Sequence, residues 1–377
     1  MSSRKRQFRD SRVMRDRDIS EGNPFNKRRR RNPSQNPGYQ VVRQELNFQS
    51  LLHQFNSLKN NSSSSTNNNR NIELMENCIE LIDNHKTLPL HEGLMDLYET
   101  ISPSPLDHAM RFSLIKDITR LVQNIWPQAV VEVFGSFCTG LYLPGGDIDL
   151  VVFGNWPRDF LKSKKVYYSL ANALNKSHLI KKNSVQVIGF AKVPIVKFED
   201  SRFHISFDVS FNEYGGLGGV VYLRKQLKEY PCLRILIMII KQMLNEKKLN
   251  TVYRGGISSY SLYMMIISFI QRHPRVEVLR TNTEVNIAVL LIEFFDLYGC
   301  KFNYDSVCIS VMDGTYKSRD AFYRQYGLAY PHRASICIQD PCALQNDIGR
   351  GSFCIPEIKL SFLKAKTQLI AILKKTL

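Results

Sequence analysis

The chain has 377 residues, 44% of them hydrophobic, enough for two domains with cores of their own. Its formal net charge is +17, and twelve Lys/Arg against four acids fall within residues 1–31, which implies a polyanionic partner. No apolar run approaches the roughly 18–20 residues of a membrane-spanning helix, so no membrane partner is expected.

Residues 1–71 show no hydrophobic periodicity beyond a short apolar stretch near Leu46 to Leu58, and they close in an Asn/Ser run. They read as a disordered basic arm with a polar linker. Within the arm, Lys27-Arg28-Arg29-Arg30-Arg31 fits a nuclear import signal, a nonspecific RNA contact or a solubilising run. A polar, basic start is unlike a secretory signal peptide. Amphipathic helices are predicted over residues 72–82 and 90–101, with a hinge-like connection at Ser102-Pro103-Ser104-Pro105. A further helix is predicted over 110–126, stopped by Pro127. Strands and helices then alternate to about Tyr222, and helices are predicted over 231–249, 258–271, 286–298 and 356–373. The eight cysteines include no C-x₂-C pair and the eight histidines no ligand spacing, which argues for reduced intracellular thiols and against zinc.

The chemistry concentrates in VFGSFCTGLYLPGGDIDLVVF, Val133 to Phe153. A strand ending at Gly135 hands over to a short helical turn, whose free N–H groups at Gly135 and Ser136 suit a phosphate. Pro144-Gly145-Gly146 breaks the chain before a second strand, on which Asp147 and Asp149 share one side while Ile148 enters the core. Two carboxylates so close repel unless a cation lies between them, and a hard, oxygen-liganded ion such as Mg²⁺ is the natural partner. The plain alternative is a turn aspartate beside a solvated edge residue. Further on, Ile205, Phe207, Val209 and Phe211 alternate with His204, Ser206, Asp208 and Ser210, so Asp208 is a candidate third carboxylate. By itself it would be a residue on a solvated strand face.

These motifs resemble the nucleotidyltransferase superfamily of DNA polymerase β and the poly(A) polymerases. Gly135-Ser136-Phe137-x-Thr139-Gly140-Leu141-Tyr142-Leu143-Pro144, Gly255-Gly256-Ile257-Ser258-Ser259-Tyr260-Ser261-Leu262 and Asn346-Asp347-Ile348-Gly349-Arg350 are similar to the nuclear non-canonical poly(A) polymerases of RNA-surveillance (TRAMP-type) complexes. The resemblance runs from about His91 to the C-terminus. It implies an α+β fold: a nucleotidyltransferase palm of mixed sheet and helices over residues 106–224, and a mainly helical, PAP-associated central domain from 72–105 and 225–377. It further implies two-metal transfer of AMP from ATP to RNA 3′ ends, with Mg²⁺, or Mn²⁺ in its place, held by Asp147, Asp149 and Asp208 as catalytic residues.

Nucleotide binding is implied for Gly135, Ser136, Lys241, Ser259, Tyr260, Asn346 and Arg350. Lys241 interrupts a long apolar helix, so by sequence alone it either snorkels to solvent or meets an anion; the family carries a triphosphate-binding lysine there. Ser258 suits an N-cap, leaving Ser259 for phosphate and Tyr260 for stacking on the base. In uridylyl-transferring relatives a histidine tends to stand where this chain has Asn346, so the asparagine favours ATP. Gly145-Gly146 replaces a small polar residue expected before the first aspartate, and Gly215-Gly216-Leu217-Gly218-Gly219 is richer in glycine than relatives near the ribose. The resemblance also implies a nuclear location, a zinc-knuckle RNA-binding partner and an RNA helicase. A terminal uridylyltransferase and a catalytically inactive RNA-binding scaffold of the same fold are the rival readings.

Overall fold

The structure, a computed structural model, describes residues 84–191, 193–281 and 285–376; the predicted basic arm and the helix predicted over 72–82 lie outside them. Helix α1 (Asn84–Ile101) leads into α2 (Pro105–Ile125). The sequence reading began α2 at Met110, but the helix starts upstream. Ser104 Oγ accepts from the Asp107 N–H at 3.1 Å, and the Asp107 carboxylate accepts from the Ser104 N–H at 2.9 Å. With Pro105 in the first turn, the hinge-like tetrapeptide is a capping box.

Next come β1 (Val130–Phe134), α3 (Gly135–Thr139), β2 (Ile148–Phe153), α4 (Arg158–Lys162), α5 (Lys165–Lys176), β3 (Gln186–Ile188), β4 (Ile195–Glu199) and β5 (Ser206–Phe211). Their strands form one sheet in the order β1-β2-β5-β4-β3. Strands β2 and β5 run parallel, and the other neighbours antiparallel. Alternation sends Ile148, Leu150 and Val152 of β2, and Phe207, Val209 and Phe211 of β5, into a core shared with Leu114 and Ile118 of α2 and Leu170 of α5. The opposite face of the same strands carries Asp149, Ser206, Asp208 and Ser210 beside the apolar Val151 and Phe153.

The chain continues through α6 (Gly215–Glu229), α7 (Leu233–Glu246), α8 (Ser259–Gln271), α9 (Val276–Thr281), α10 (Ile287–Asp296), β6 (Val307–Ser310), β7 (Thr315–Ser318), α11 (Arg319–Gln325), β8 (Cys337–Asp340), β9 (Ala343–Asp347) and α12 (Ile355–Thr376). A second core gathers Met238, Ile266, Leu290 and Phe362, and α1 adds Leu90, Leu94 and Leu97 to it. The helical reading of this half missed a four-stranded sheet, β7-β6-β8-β9. These strands are four or five residues long, too short for alternation to separate them from loops.

Candidate active site

Phe134, Asp149, Asp208 and Lys197 stand in one row across four strands, through the facing pairs Phe134–Asp149, Asp149–Asp208 and Lys197–Asp208. Facing residues project from the same side of a sheet. Asp147, two positions before Asp149, joins them from the end of the turn. One carboxylate oxygen from each of Asp147, Asp149 and Asp208 lies within 4.8 Å of the others.

Such crowding has an electrostatic consequence. Burial, then the charges of Asp147 and Asp208, push the Asp149 carboxyl up to about 7, against the opposing pull of Lys241 and Lys197. Burial raises Asp208 as well, although Lys197 opposes the rise. The Lys197 ammonium donates to Asp208 at 2.8 Å; burial acts to lower its pKa, but the bond and charge of Asp208 raise it on balance. Among the described residues Lys197 pairs with the cluster directly, while Lys241 acts on it through its charge at longer range.

The turn beside the carboxylates depends on glycine. Gly135 has φ +68°, and a Cβ there would lie 2.1 Å from Asp149 Oδ2. No other residue lets the Gly135-Ser136 backbone approach the carboxylates this closely. The far end of α3 is held by two arginines from the helical half. Arg224 donates to the Cys138 carbonyl at 2.7 Å, and Arg234 to those of Thr139 and Gly140 at 3.0 and 3.1 Å. The glycine-rich segment opens α6. A Cβ at Gly216 would lie 2.7 Å from the Phe134 ring and one at Gly219 3.0 Å from that of Tyr260. Those glycines let α6 lie close against both rings.

The opposite wall comes from the helical half, and the two walls enclose a cleft of about 910 Å³. Lys241 is 8% exposed, and its ammonium donates to the Leu141 carbonyl at 2.8 Å and to the Tyr263 hydroxyl at 3.4 Å. It therefore does not snorkel to solvent. Ser258 caps α8 by accepting from the Ser261 N–H, which leaves Ser259 and Tyr260 lining the cleft. Asn346 lies on the β8–β9 hairpin. On it Asn346 Nδ2 donates to Asp340 Oδ2 at 3.1 Å, and the Tyr260 hydroxyl donates to Asp340 Oδ1 at 3.3 Å. Arg350 does not line this cleft; it borders a smaller hollow of about 690 Å³ that Tyr260 and Asn346 also line. Gly135, Ser136, Lys241, Ser259, Tyr260 and Asn346 thus share one cleft with the three aspartates.

Four residues of the site escaped the sequence reading: Lys197, Asp340, Arg224 and Arg234. For Lys197 a signal existed, since Ile195, Lys197 and Glu199 alternate on β4 as Asp208 does on β5. The arginines act on carbonyls 86 to 95 positions away, beyond any local pattern.

Family models for the central palm domain of mitochondrial-like poly(A) RNA polymerases and for the Cid1 family of poly A polymerases match residues 90–220 and 286–346. The chain is 39% identical over 276 residues to poly(A) RNA polymerase cid14 of Schizosaccharomyces pombe, a match covering 72% of this chain and 39% of that one. The match thus spans about two-fifths of that relative's length. The inactive non-canonical poly(A) RNA polymerase protein Trf4-2 of Drosophila melanogaster is 35% identical, over 74% of this chain and 68% of its own. Among solved structures, the polymerase core of TRAMP, a RNA surveillance complex, superposes with a TM-score of 0.68 at 35% identity, covering 77% of this chain and 91% of that one. The Cid1 poly(U) polymerase shares the fold at 18% identity and a TM-score of 0.59, over 73% of this chain and 92% of its own.

Proposed function

The chain belongs to the non-canonical poly(A) RNA polymerase family, and from that membership we propose that it is a template-independent RNA 3′-adenylyltransferase, adding AMP from ATP to RNA 3′ ends. One observation carries the reading. Three carboxylates on one wall of a cleft face a buried lysine and an aromatic ring on the other.

The donor set fits a divalent cation. It consists of hard oxygens, and it carries more negative charge than Lys197 alone balances. Mg²⁺, or Mn²⁺ in its place, held by Asp147, Asp149 and Asp208 would supply charge stabilisation at the reacting oxygens. Asp208, steadied by Lys197, orients the attacking 3′-hydroxyl. The Gly135-Ser136 backbone and Ser259 hold phosphate oxygens. Lys241 already spends two N–H groups on Leu141 and Tyr263, and an ammonium has three, so one remains for the triphosphate.

The preference for adenine follows from Asp340 and Asn346. An ionised carboxylate only accepts, so the Asn346 amide must turn its NH₂ toward Asp340, which leaves its carbonyl oxygen for the base. Adenine offers a 6-amino donor to that oxygen, whereas uracil offers the O4 acceptor, which repels it. Tyr260 gives a flat face for stacking, and Arg350 is left for the RNA or the outer edge of the base. The basic composition and the family support RNA as acceptor, a nuclear role in RNA processing or surveillance, and partners such as a zinc-knuckle RNA-binding protein and an RNA helicase.

The test is tailing of a short labelled RNA with Mg²⁺ and each NTP separately, beside the Asp147→Ala/Asp149→Ala variant. A ladder with ATP, absent in the variant, supports the reading. A UTP ladder makes the protein a uridylyltransferase and overturns the Asn346 argument. With no ladder even after addition of a zinc-knuckle partner, the scaffold reading stands.

A further inference from the structure

The edge of the palm sheet carries an aromatic and a lysine that the site above does not use. Phe190, in the turn between β3 and β4, is 99% exposed. The Lys164 ammonium sits 3.8 Å from the centroid of its ring, and the tip of one lysine covers little of it. The arrangement is built. Lys164 adopts φ +60°, a left-handed conformation uncommon for a residue with a side chain. Gly189 supplies the space, since a Cβ there would lie 2.9 Å from Lys164 Cδ and 3.2 Å from its ammonium nitrogen. Lys165 and Tyr168 stand exposed in the first turn of α5 beside it.

This edge is continuous with the catalytic cleft. Val193, Ile195 and Lys197 succeed one another along the cleft wall, leading from Asp208 outward to the turn that holds Phe190. Val193 and Phe190 are three residues apart, at most about 11 Å of chain. A strand whose 3′-hydroxyl lies at Asp208 and which leaves over β4 therefore meets Phe190 within its first few nucleotides. The chemistry there suits single-stranded RNA: an open aromatic face takes a base of any identity, and a neighbouring ammonium takes a phosphate.

We propose that Phe190 and Lys164 form a docking post for the acceptor RNA, stacking a base a few nucleotides behind the 3′ end while Lys164 and Lys165 hold the adjoining phosphates. This rests on the adenylyltransferase reading and names where its acceptor strand runs.

Binding of labelled oligo(A) to the full chain, read by fluorescence anisotropy without ATP, tests it. The parent is expected to bind an RNA of about ten nucleotides more tightly than a trinucleotide, and Phe190→Ala to lose about 5- to 100-fold of affinity for the longer RNA only. Phe190→Trp restores that affinity, and Lys164→Ala reduces the slope of log affinity against log salt by about one. Phe190 is exposed, so its replacement leaves the fold intact, which the melting shift with ATP and Mg²⁺ checks independently. Equal affinity of parent and Phe190→Ala for the longer RNA overturns the post while the transferase reading stands. A parent that binds neither RNA defeats the RNA reading itself, and the post falls with it.

Discussion

Lys197 and Asp208 face each other in register on antiparallel β4 and β5, and the lysine ammonium donates to the aspartate at 2.8 Å. Asp208 faces Asp149 on its other side across parallel β2. The third carboxylate is therefore held between a cation and a like charge. Its position reflects the balance of the two.

Replacing Lys197 with methionine keeps most of the length of the side chain and removes the charge. The metal-free protein is expected to lose roughly 1 kcal/mol, because the pair is partly solvated. The rise in melting temperature on adding Mg²⁺ grows, since the metal then relieves more repulsion. Calorimetry with and without Mg²⁺ checks both. An unchanged metal-free melting temperature would make the ion pair energetically idle.

Asp149 gives the metal-free protein a pH dependence with a definite sign. Folded, this carboxyl holds its proton to about 7, whereas unfolded it releases it near the ordinary aspartate value of about 4. Between those values the unfolded chain has ionised and the folded one has not. Stability therefore falls as the pH rises through the window, and the loss is complete above the folded pKa. Asp149→Asn removes the effect, so without metal it is more stable than the parent by on the order of 2–4 kcal/mol at about pH 8 and equal to it near pH 4. Tailing is abolished in the same variant. Denaturant melts in a chelating buffer, run at several pH values, measure the difference.

Asn346→His exchanges a carbonyl acceptor for a ring that donates when protonated or in the suitable tautomer. ATP use is expected to fall and UTP use to rise, each about tenfold, or roughly 3 kcal/mol of discrimination between the two. Asp340→Asn frees the Asn346 amide to flip and relaxes the preference without reversing it. Tailing rates with the two nucleotides in competition read the ratio; a constant ratio in Asn346→His would remove this residue from base choice.

The glycines at the start of α6 differ in what they permit. A Cβ at Gly215 meets nothing within 4 Å, whereas one at Gly216 lies 2.7 Å from the Phe134 ring. Gly215→Ala is expected to stabilise by up to about 1 kcal/mol, through helix propensity. Gly216→Ala pushes Phe134 and with it the turn at Gly135, lowering both melting temperature and tailing. Thermal melts of the two variants side by side decide it.

What the sequence by itself determined is local. Asp147 and Asp149 were legible as a pair because strand alternation puts i and i+2 on one side, and Asp208 as a strand residue opposite an apolar face. Ser258 was legible as a cap, because a serine before an apolar helical run has few other uses. The metal reading followed from charge repulsion between neighbours in sequence. Tertiary structure decided what those patterns leave open. Register alone sets Asp149 beside Asp208, and Lys197 beside Asp208. Arg224 and Arg234 reach the end of α3 only because the tertiary fold brings α6 and α7 to it. Asp340 orients Asn346 only because β8 and β9 pair as a hairpin. The short strands of the second sheet were hidden for the same reason. Their pairing energy comes from partners distant in sequence, and a local window contains only one side of each pair.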